Sequence, residues 1–127
     1  MDYVLDQMTV PDVKESTSPE FVREALAYGD WVLPADATVL RAEREIVRDR
    51  NYRIAVRTSP AGLAFMLRQS RFPYALDPCT PSCSLDREAV GQEAWFTSSS
   101  GRVMIREITV YGRDENTRIV HIEFRGV

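Results

Sequence analysis

Long apolar runs are missing from this 127-residue sequence, because no stretch reaches the ~18 residues that a membrane-spanning helix needs. No basic and then apolar leader opens the chain, so we expect a soluble protein without a targeting segment. One histidine and two cysteines are too few ligands to predict a zinc site. The six glycines are scattered and show no phosphate-loop spacing, and no serine or cysteine lies in a nucleophile elbow. The sequence therefore predicts no cofactor and no metal, and it favours a binding module over an enzyme.

The length and the hydrophobic share of 44% are typical of one globular domain, here residues 1–127. Residues 1–17 show no sustained period and are predicted to form an acidic N-terminal arm, with room for one short strand. Residues 72–92 contain three prolines and two cysteines and are predicted to form a long loop. Loops of this length in small domains are often functional.

Hydroxyl caps followed by proline predict two helices, over 19–28 after Ser18 and over 60–70 after Ser59. Gly29 is the expected left-handed stop of the first helix. Five strands are predicted over 39–47, 52–58, 94–97, 102–111 and 117–125. The order α-β-β-α-β-β-β predicts an α+β fold, in which an antiparallel sheet of about five strands carries two short helices on one face. A change of apolar parity at Arg106-Glu107 predicts a β-bulge in the fourth strand.

Charge is unevenly distributed along the chain. Residues 1–40 carry a net charge of −6, whereas residues 41–127 carry +3 and the segment 41–71 alone carries +5. Mutual screening within the fold is one interpretation, and partner binding through charged surfaces is the other. The candidate partner-binding residues are Asp12, Glu15, Glu20, Glu24, Arg44, Arg48, Arg53 and Arg57. Because the pI is about 5.2 and few aromatics accompany the arginines, we do not expect nucleic-acid binding.

Cys79 and Cys83 flank a proline in the predicted loop. A disulfide between them would clip the loop and would imply an oxidising, extracytoplasmic compartment. Two free thiols would imply the cytoplasm, which the absence of a secretion signal favours. Both alternatives stay open from the sequence.

A second kind of site is predicted between the sheet and the 72–92 loop, where polar and aromatic side chains would line a small-ligand pocket. Its candidate residues are Tyr74, Trp95, Arg106 and His121. His121 has the ordinary pKa of a general base, but an ordinary sheet-surface histidine explains it better. Glu43 and Glu45 point to one face of a strand among arginines, which indicates a charge ladder instead of a catalytic carboxylate pair.

The chain resembles small uncharacterised α+β proteins of high-GC actinobacteria. The resemblance rests on Leu33-Pro34, the strand 52–57, the segments 60–67 and 70–72, and the closing strands 105–111 and 119–124. It implies a shared α+β fold, and it transfers no activity and no site residue.

The leading hypothesis is a non-enzymatic protein-binding module, of the immunity or inhibitor type, that neutralises a partner through a charged surface. The alternative is a small-ligand-binding domain or an enzyme that uses the predicted pocket. Exposed edge strands would also allow pairing with a second copy of the chain.

Overall fold

The computed structural model describes residues 12–73 and 90–127. It confirms an α+β fold, built from six strands and two helices in the order β1 (Asp12–Glu15), α1 (Pro19–Tyr28), β2 (Thr38–Ile46), β3 (Arg50–Thr58), α2 (Pro60–Gln69), β4 (Val90–Thr97), β5 (Val103–Asp114) and β6 (Thr117–Gly126). Neither helix in this described part of the chain is long and apolar enough to cross a membrane. Tyr74, Cys79, Cys83 and most of the predicted 72–92 loop lie outside the described residues.

One antiparallel sheet contains all six strands, in the order β1-β2-β3-β6-β5-β4. The prediction of about five strands lacked β1, which is four residues long and exposed at every position. Pairing with β2 makes this segment a strand, so its own residues carry no alternation that could reveal it. The central β3–β6 pair joins the first hairpin to the C-terminal meander.

Both helices begin where the sequence predicts. The Ser18 hydroxyl accepts a hydrogen bond from the Phe21 N–H, at 3.3 Å, and the Ser59 hydroxyl accepts one from the Gly62 N–H, at 2.9 Å. Both helices pack on the same face of the sheet, with α1 over β2 and β3 and α2 over β6. The main core lies between them and the sheet.

The end of α1 differs from its prediction. Gly29 has a φ of −97°, and the left-handed conformation belongs to the next residue, Asp30, with a φ of 50°. The N–H of Trp31 then donates to the Leu26 carbonyl, at 2.9 Å, as in a Schellman motif. The helix stop is therefore one residue later than predicted. It directs the side chain of Trp31 into the core.

The end of α2 repeats this arrangement. Arg71 takes the left-handed conformation, with a φ of 57°, and the N–H of Phe72 donates to the Leu67 carbonyl, at 2.9 Å. The Ser70 hydroxyl accepts a hydrogen bond from the Val32 N–H, at 2.9 Å, and so joins the two helix ends. Two equivalent helix ends, each followed by an aromatic residue, thus meet over the sheet.

The guanidinium group of Arg106 lies between these two helix ends and is fully buried. It donates to the carbonyls of Gly29 and Arg71, both at 3.2 Å, at the helix termini where the backbone dipole is negative. Burial, together with the charge of Arg71, lowers the pKa of Arg106 to about 10, so the group stays charged at neutral pH.

Three aromatic rings surround this cation. The guanidinium carbon of Arg106 lies 3.5 Å from the ring centroid of Phe96, 5.2 Å from that of Trp31 and 5.9 Å from that of Phe72. Aromatic faces attract a cation, and the attraction grows when water is excluded. Ring faces and helix carbonyls therefore take the place of a carboxylate.

Arg106 also explains why the predicted β-bulge is wrong. The register of β5 with β4 and with β6 runs unbroken through Arg106-Glu107. Arg106 shares the covered face with Met104, Ile108 and Val110, all fully buried. Because the charged Arg106 occupies a core position, the apolar alternation of β5 is interrupted in the sequence although the strand keeps its register.

We expect Arg106→Met to lower the free energy of unfolding by about 2–4 kcal/mol, because the two helix carbonyls lose their donor inside the core. Arg57→Met is the matched control, since Arg57 is exposed on β3 and makes no ion pair with a described residue; it should change stability by less than about 0.5 kcal/mol. Urea unfolding followed by circular dichroism measures both. Equal stability of the two variants would contradict a structural role for the guanidinium group.

Candidate partner-binding face

The face of the sheet opposite the helices carries no described helix, and we call it the open face. Strand alternation and register place its side chains, which come from all six strands. Its members are Val13, Glu15, Arg41, Glu43, Glu45, Asn51, Arg53, Ala55, Arg57, Glu93, Trp95, Thr97, Val103, Ile105, Glu107, Thr109, Tyr111, Ile119, His121, Glu123 and Arg125.

Glutamates dominate one row of register partners that crosses the whole open face. In spatial order the row is Glu15, Glu43, Arg53, Glu123, Glu107 and Glu93, one residue from each strand. Together with Glu45 in the adjacent row, these residues form what we call the acidic row. Like charges directly opposite each other destabilise a sheet, so the acidic row needs cations within it.

Arg125 supplies one of these cations. Its guanidinium nitrogens lie 2.6 Å from a Glu107 oxygen, 2.7 Å from a Glu93 oxygen and 3.2 Å from a Glu123 oxygen. Burial alone would lower the pKa of Arg125, but the hydrogen bonds with Glu107 and Glu93 raise it above its ordinary value. One arginine thus bridges three glutamates on three strands.

Arg53 likewise bridges three glutamates, on the side of the acidic row formed by β2, β3 and β6. It lies 3.1 Å from Glu43, 3.2 Å from Glu45 and 3.2 Å from Glu123, measured between guanidinium nitrogens and carboxylate oxygens. Burial lowers the pKa of Arg53, but the hydrogen bonds with Glu45 and Glu43 and the charge of Glu123 raise it overall. The charge ladder predicted for Glu43 and Glu45 is therefore present.

The acidic row keeps an excess of negative charge. Arg41 is the third cation and lies 2.8 Å from Glu15 at the β1 edge. Six glutamates against three paired arginines leave three negative charges in this cluster, and Arg57 on the same face reduces the excess over the open face to two. The most basic segment of the sequence therefore contributes to an acidic surface, because glutamates from β1, β4, β5 and β6 assemble around its arginines.

A shallow depression of about 440 Å³ lies beside the acidic row, lined among others by Ala55, Thr109 and His121. The small side chain of Ala55 and the neighbouring Thr109 leave space between longer residues. The exposed imidazole of His121 packs against the Tyr111 ring, with 5.0 Å between ring centroids. No hydrogen-bonded nucleophile or carboxylate accompanies it among the described residues. This environment is that of a surface histidine.

Exposed apolar side chains lie at the two edges of the open face. Trp95 on β4 is 68% exposed, although tryptophan is usually well buried, and Val13 on β1 is 49% exposed. Trp95 belongs to the row next to the glutamates, where Ile105 and Arg125 are its neighbours. The face therefore combines an apolar anchor with a charged centre.

Of the predicted acidic partner-binding residues, only Glu15 lies on the open face. Asp12 and Glu20 are exposed elsewhere. Glu24 lies on α1 at the covered side of the sheet, where its carboxylate accepts hydrogen bonds from the Tyr52 hydroxyl and from Arg44, the latter at 2.7 Å. The structure does not bring the four acids together.

The basic residues predicted to bind a partner also lie on different parts of the structure. Arg53 and Arg57 lie on the open face, whereas Arg44 has the opposite parity in β2 and reaches Glu24 on the helix side. Arg48 lies in the β2–β3 turn. Strand alternation thus places Arg44 on the opposite side of the sheet from Arg53 and Arg57.

The predicted pocket residues lie on different sides of the sheet. Arg106 is in the core, whereas Trp95 and His121 are exposed on the open face. These three residues therefore cannot line one cavity. The sequence did not lead us to predict four residues of this face as site residues: Glu93, Glu107, Glu123 and Arg125. Alternation along β4, β5 and β6 nevertheless places them on the outward face.

The fold and this face define the class: an α+β protein whose six-stranded antiparallel sheet is covered by helices on one side and displays a charged row on the other. No family model, no curated protein and no solved structure matches the chain. Within the described ranges no group of three or more potential metal ligands is placed to hold an ion.

We expect Arg125→Gln to destabilise the protein by about 1 kcal/mol, because Glu93, Glu107 and Glu123 lose their shared cation. The loss should shrink at 1 M NaCl, where salt screens repulsion between the glutamates. Urea unfolding at low and high salt measures it. An effect that does not depend on salt would contradict the electrostatic explanation.

Glu24 provides a pH test. The hydrogen bond from Tyr52, and then that from Arg44, lower the pKa of Glu24 below its ordinary value of 4.5. The ionised carboxylate therefore stabilises the fold above about pH 4.5, and this contribution is lost as the pH falls through the lower folded-state pKa. Glu24→Gln should be less stable than the wild type by about 1 kcal/mol at pH 7, and this difference should diminish toward pH 3. A constant difference across this range would contradict the assignment.

Proposed function

We propose that the chain is a non-enzymatic protein-binding module that engages a basic protein partner through the open face. The observation that carries the proposal is the acidic row, in which six glutamates surround three arginines beside an exposed tryptophan. A surface with excess negative charge is complementary to lysine and arginine side chains. Such complementarity steers association and selects partners.

The dimensions of the open face favour a macromolecular partner. Six strands at a spacing of ~4.8 Å give a width of about 24 Å, and the open-face residues of β5 span about 27 Å. The resulting area, on the order of 600 Å², approaches the ~800 Å² that each partner contributes to a standard protein interface. A small ligand would cover only a fraction of it.

Trp95 provides the apolar anchor that such an interface needs. Tryptophan, tyrosine and arginine are enriched among the residues that carry most of the binding energy. The open face displays all three types, with Trp95 at its β4 edge and Tyr111 beside His121. The depression next to the acidic row has room for a side chain of the partner.

Immunity and inhibitor proteins neutralise their partners by covering a surface, which requires complementary charge and shape and no catalytic group. The excess negative charge and the exposed Trp95 of the open face support a role of this type. A role of this type is therefore the one we favour for the module.

Affinity capture with a tagged protein tests the proposal. Glu15→Lys combined with Glu93→Lys reverses the charge at both ends of the acidic row. We expect it to reduce capture of a stoichiometric basic protein from the native organism at least about tenfold, and we expect capture by the wild type to fall as salt rises. Trp95→Ser should weaken capture at low and at high salt, because it removes apolar contact.

Glu20→Lys combined with Glu115→Lys is the matched control, since it makes the same change in total charge at exposed positions outside the acidic row. It should capture the partner as the wild type does. Thermal unfolding verifies that each variant is folded. Equal capture by the two double variants, capture of an acidic protein, or no protein captured at all would each contradict the proposal.

A further inference from the structure

A second depression, of about 360 Å³, lies at the end of the sheet where β2 and β6 end and β3 and β5 begin. It is separate from the acidic row and from the helix-covered core. Three arginines line it: Arg48 from the β2–β3 turn, Arg50 from the first position of β3 and Arg102 from the loop before β5. Tyr28 and Asp49 also line it.

These three arginines differ from those of the acidic row because they are unpaired. None of their guanidinium nitrogens lies within 4.0 Å of a carboxylate oxygen in the part of the chain that the structure describes. Arg41, Arg53 and Arg125 are each paired with two or three glutamates. The sheet end therefore holds three exposed guanidinium groups that form no ion pair with a described carboxylate, and Arg50 also lies near the Tyr52 hydroxyl.

Two of these cations contact the ring of Tyr28. The guanidinium carbon of Arg102 lies 4.6 Å from the ring centroid, and that of Arg50 lies 6.0 Å from it. Tyr28 is itself buried and packs against Tyr52, with 4.9 Å between ring centroids. Because the ring is anchored in the core, each of the two guanidinium groups contacts a fixed support.

We propose that this depression binds a phosphate group, and we call it the phosphate site. The three guanidinium groups outnumber the one acidic side chain of the lining, Asp49, so the side chains give an excess of positive charge where a phosphate monoester would bring a charge of about −1.5 to −2. The planar donors of arginine suit phosphate oxygens and form charge-assisted hydrogen bonds with them. Inorganic phosphate and a phosphorylated small molecule share this chemistry.

The phosphate site does not depend on the proposed partner binding. It uses none of the acidic-row glutamates, and the open face can fail its own test without affecting it.

Nuclear magnetic resonance titration of the full chain tests the site with two probes, inorganic phosphate and adenosine monophosphate. Sodium chloride at matched ionic strength is the reference. We expect saturable shifts of the Arg50 and Arg102 side-chain N–H signals with both phosphate probes and no saturable shift with chloride. Tighter binding of adenosine monophosphate would assign the site to a phosphorylated small molecule, and equal affinities would assign it to free phosphate.

Arg50→Gln and Arg102→Gln should each weaken phosphate binding about tenfold or more, because each removes charge-assisted hydrogen bonds. Arg57→Gln is the matched control, an exposed and unpaired arginine on the open face, and should leave affinity unchanged. All three positions are exposed, so the variants should fold. Shifts that do not saturate, shifts that chloride reproduces, or an equal loss in Arg57→Gln would overturn the proposal.

Discussion

The burial of the Arg106 guanidinium group is the constraint on which the rest of the structure depends. A cation in the core needs compensation, and here it comes from two helix ends and three aromatic rings instead of a carboxylate. Both helices must therefore end above the same point of β5. Their identical left-handed stops, at Asp30 and Arg71, deliver Trp31 and Phe72 to that point. With both helices committed to one face, the other face has no described helix to cover it.

Charged side chains have three different environments on this sheet. On the covered face Arg106 is held by backbone carbonyls, and Arg44 is paired with Glu24 under α1. On the open face arginines are outnumbered by glutamates, which leaves an acidic surface. At the end of the sheet Arg50 and Arg102 contact the Tyr28 ring and form no ion pair with a carboxylate among the described residues. A net charge of −3 for the whole chain conceals this separation.

Local signals predicted much of the fold. Ser18-Pro19 and Ser59-Pro60 mark both helix starts, because caps act within one turn, and alternation in β3 and β6 identifies their buried faces. Arg106 was misinterpreted because a lone charge in an apolar strand ordinarily marks a solvated position. The acidic row could not be predicted as a unit, since Glu15 and Glu93 become members of one row only through the pairing of six strands.

The sequence by itself determined the fold class, the two helices, five of the six strands and the outward direction of Glu43, Glu45 and His121, because capping and alternation act between near neighbours in the chain. Only the tertiary structure decided which charges meet. It divided the arginines between two faces and a sheet end, and it placed Arg106 in the core. The physical reason is that ion pairs and cation–π contacts depend on distances of a few ångströms between residues tens of positions apart, and strand order alone sets those distances.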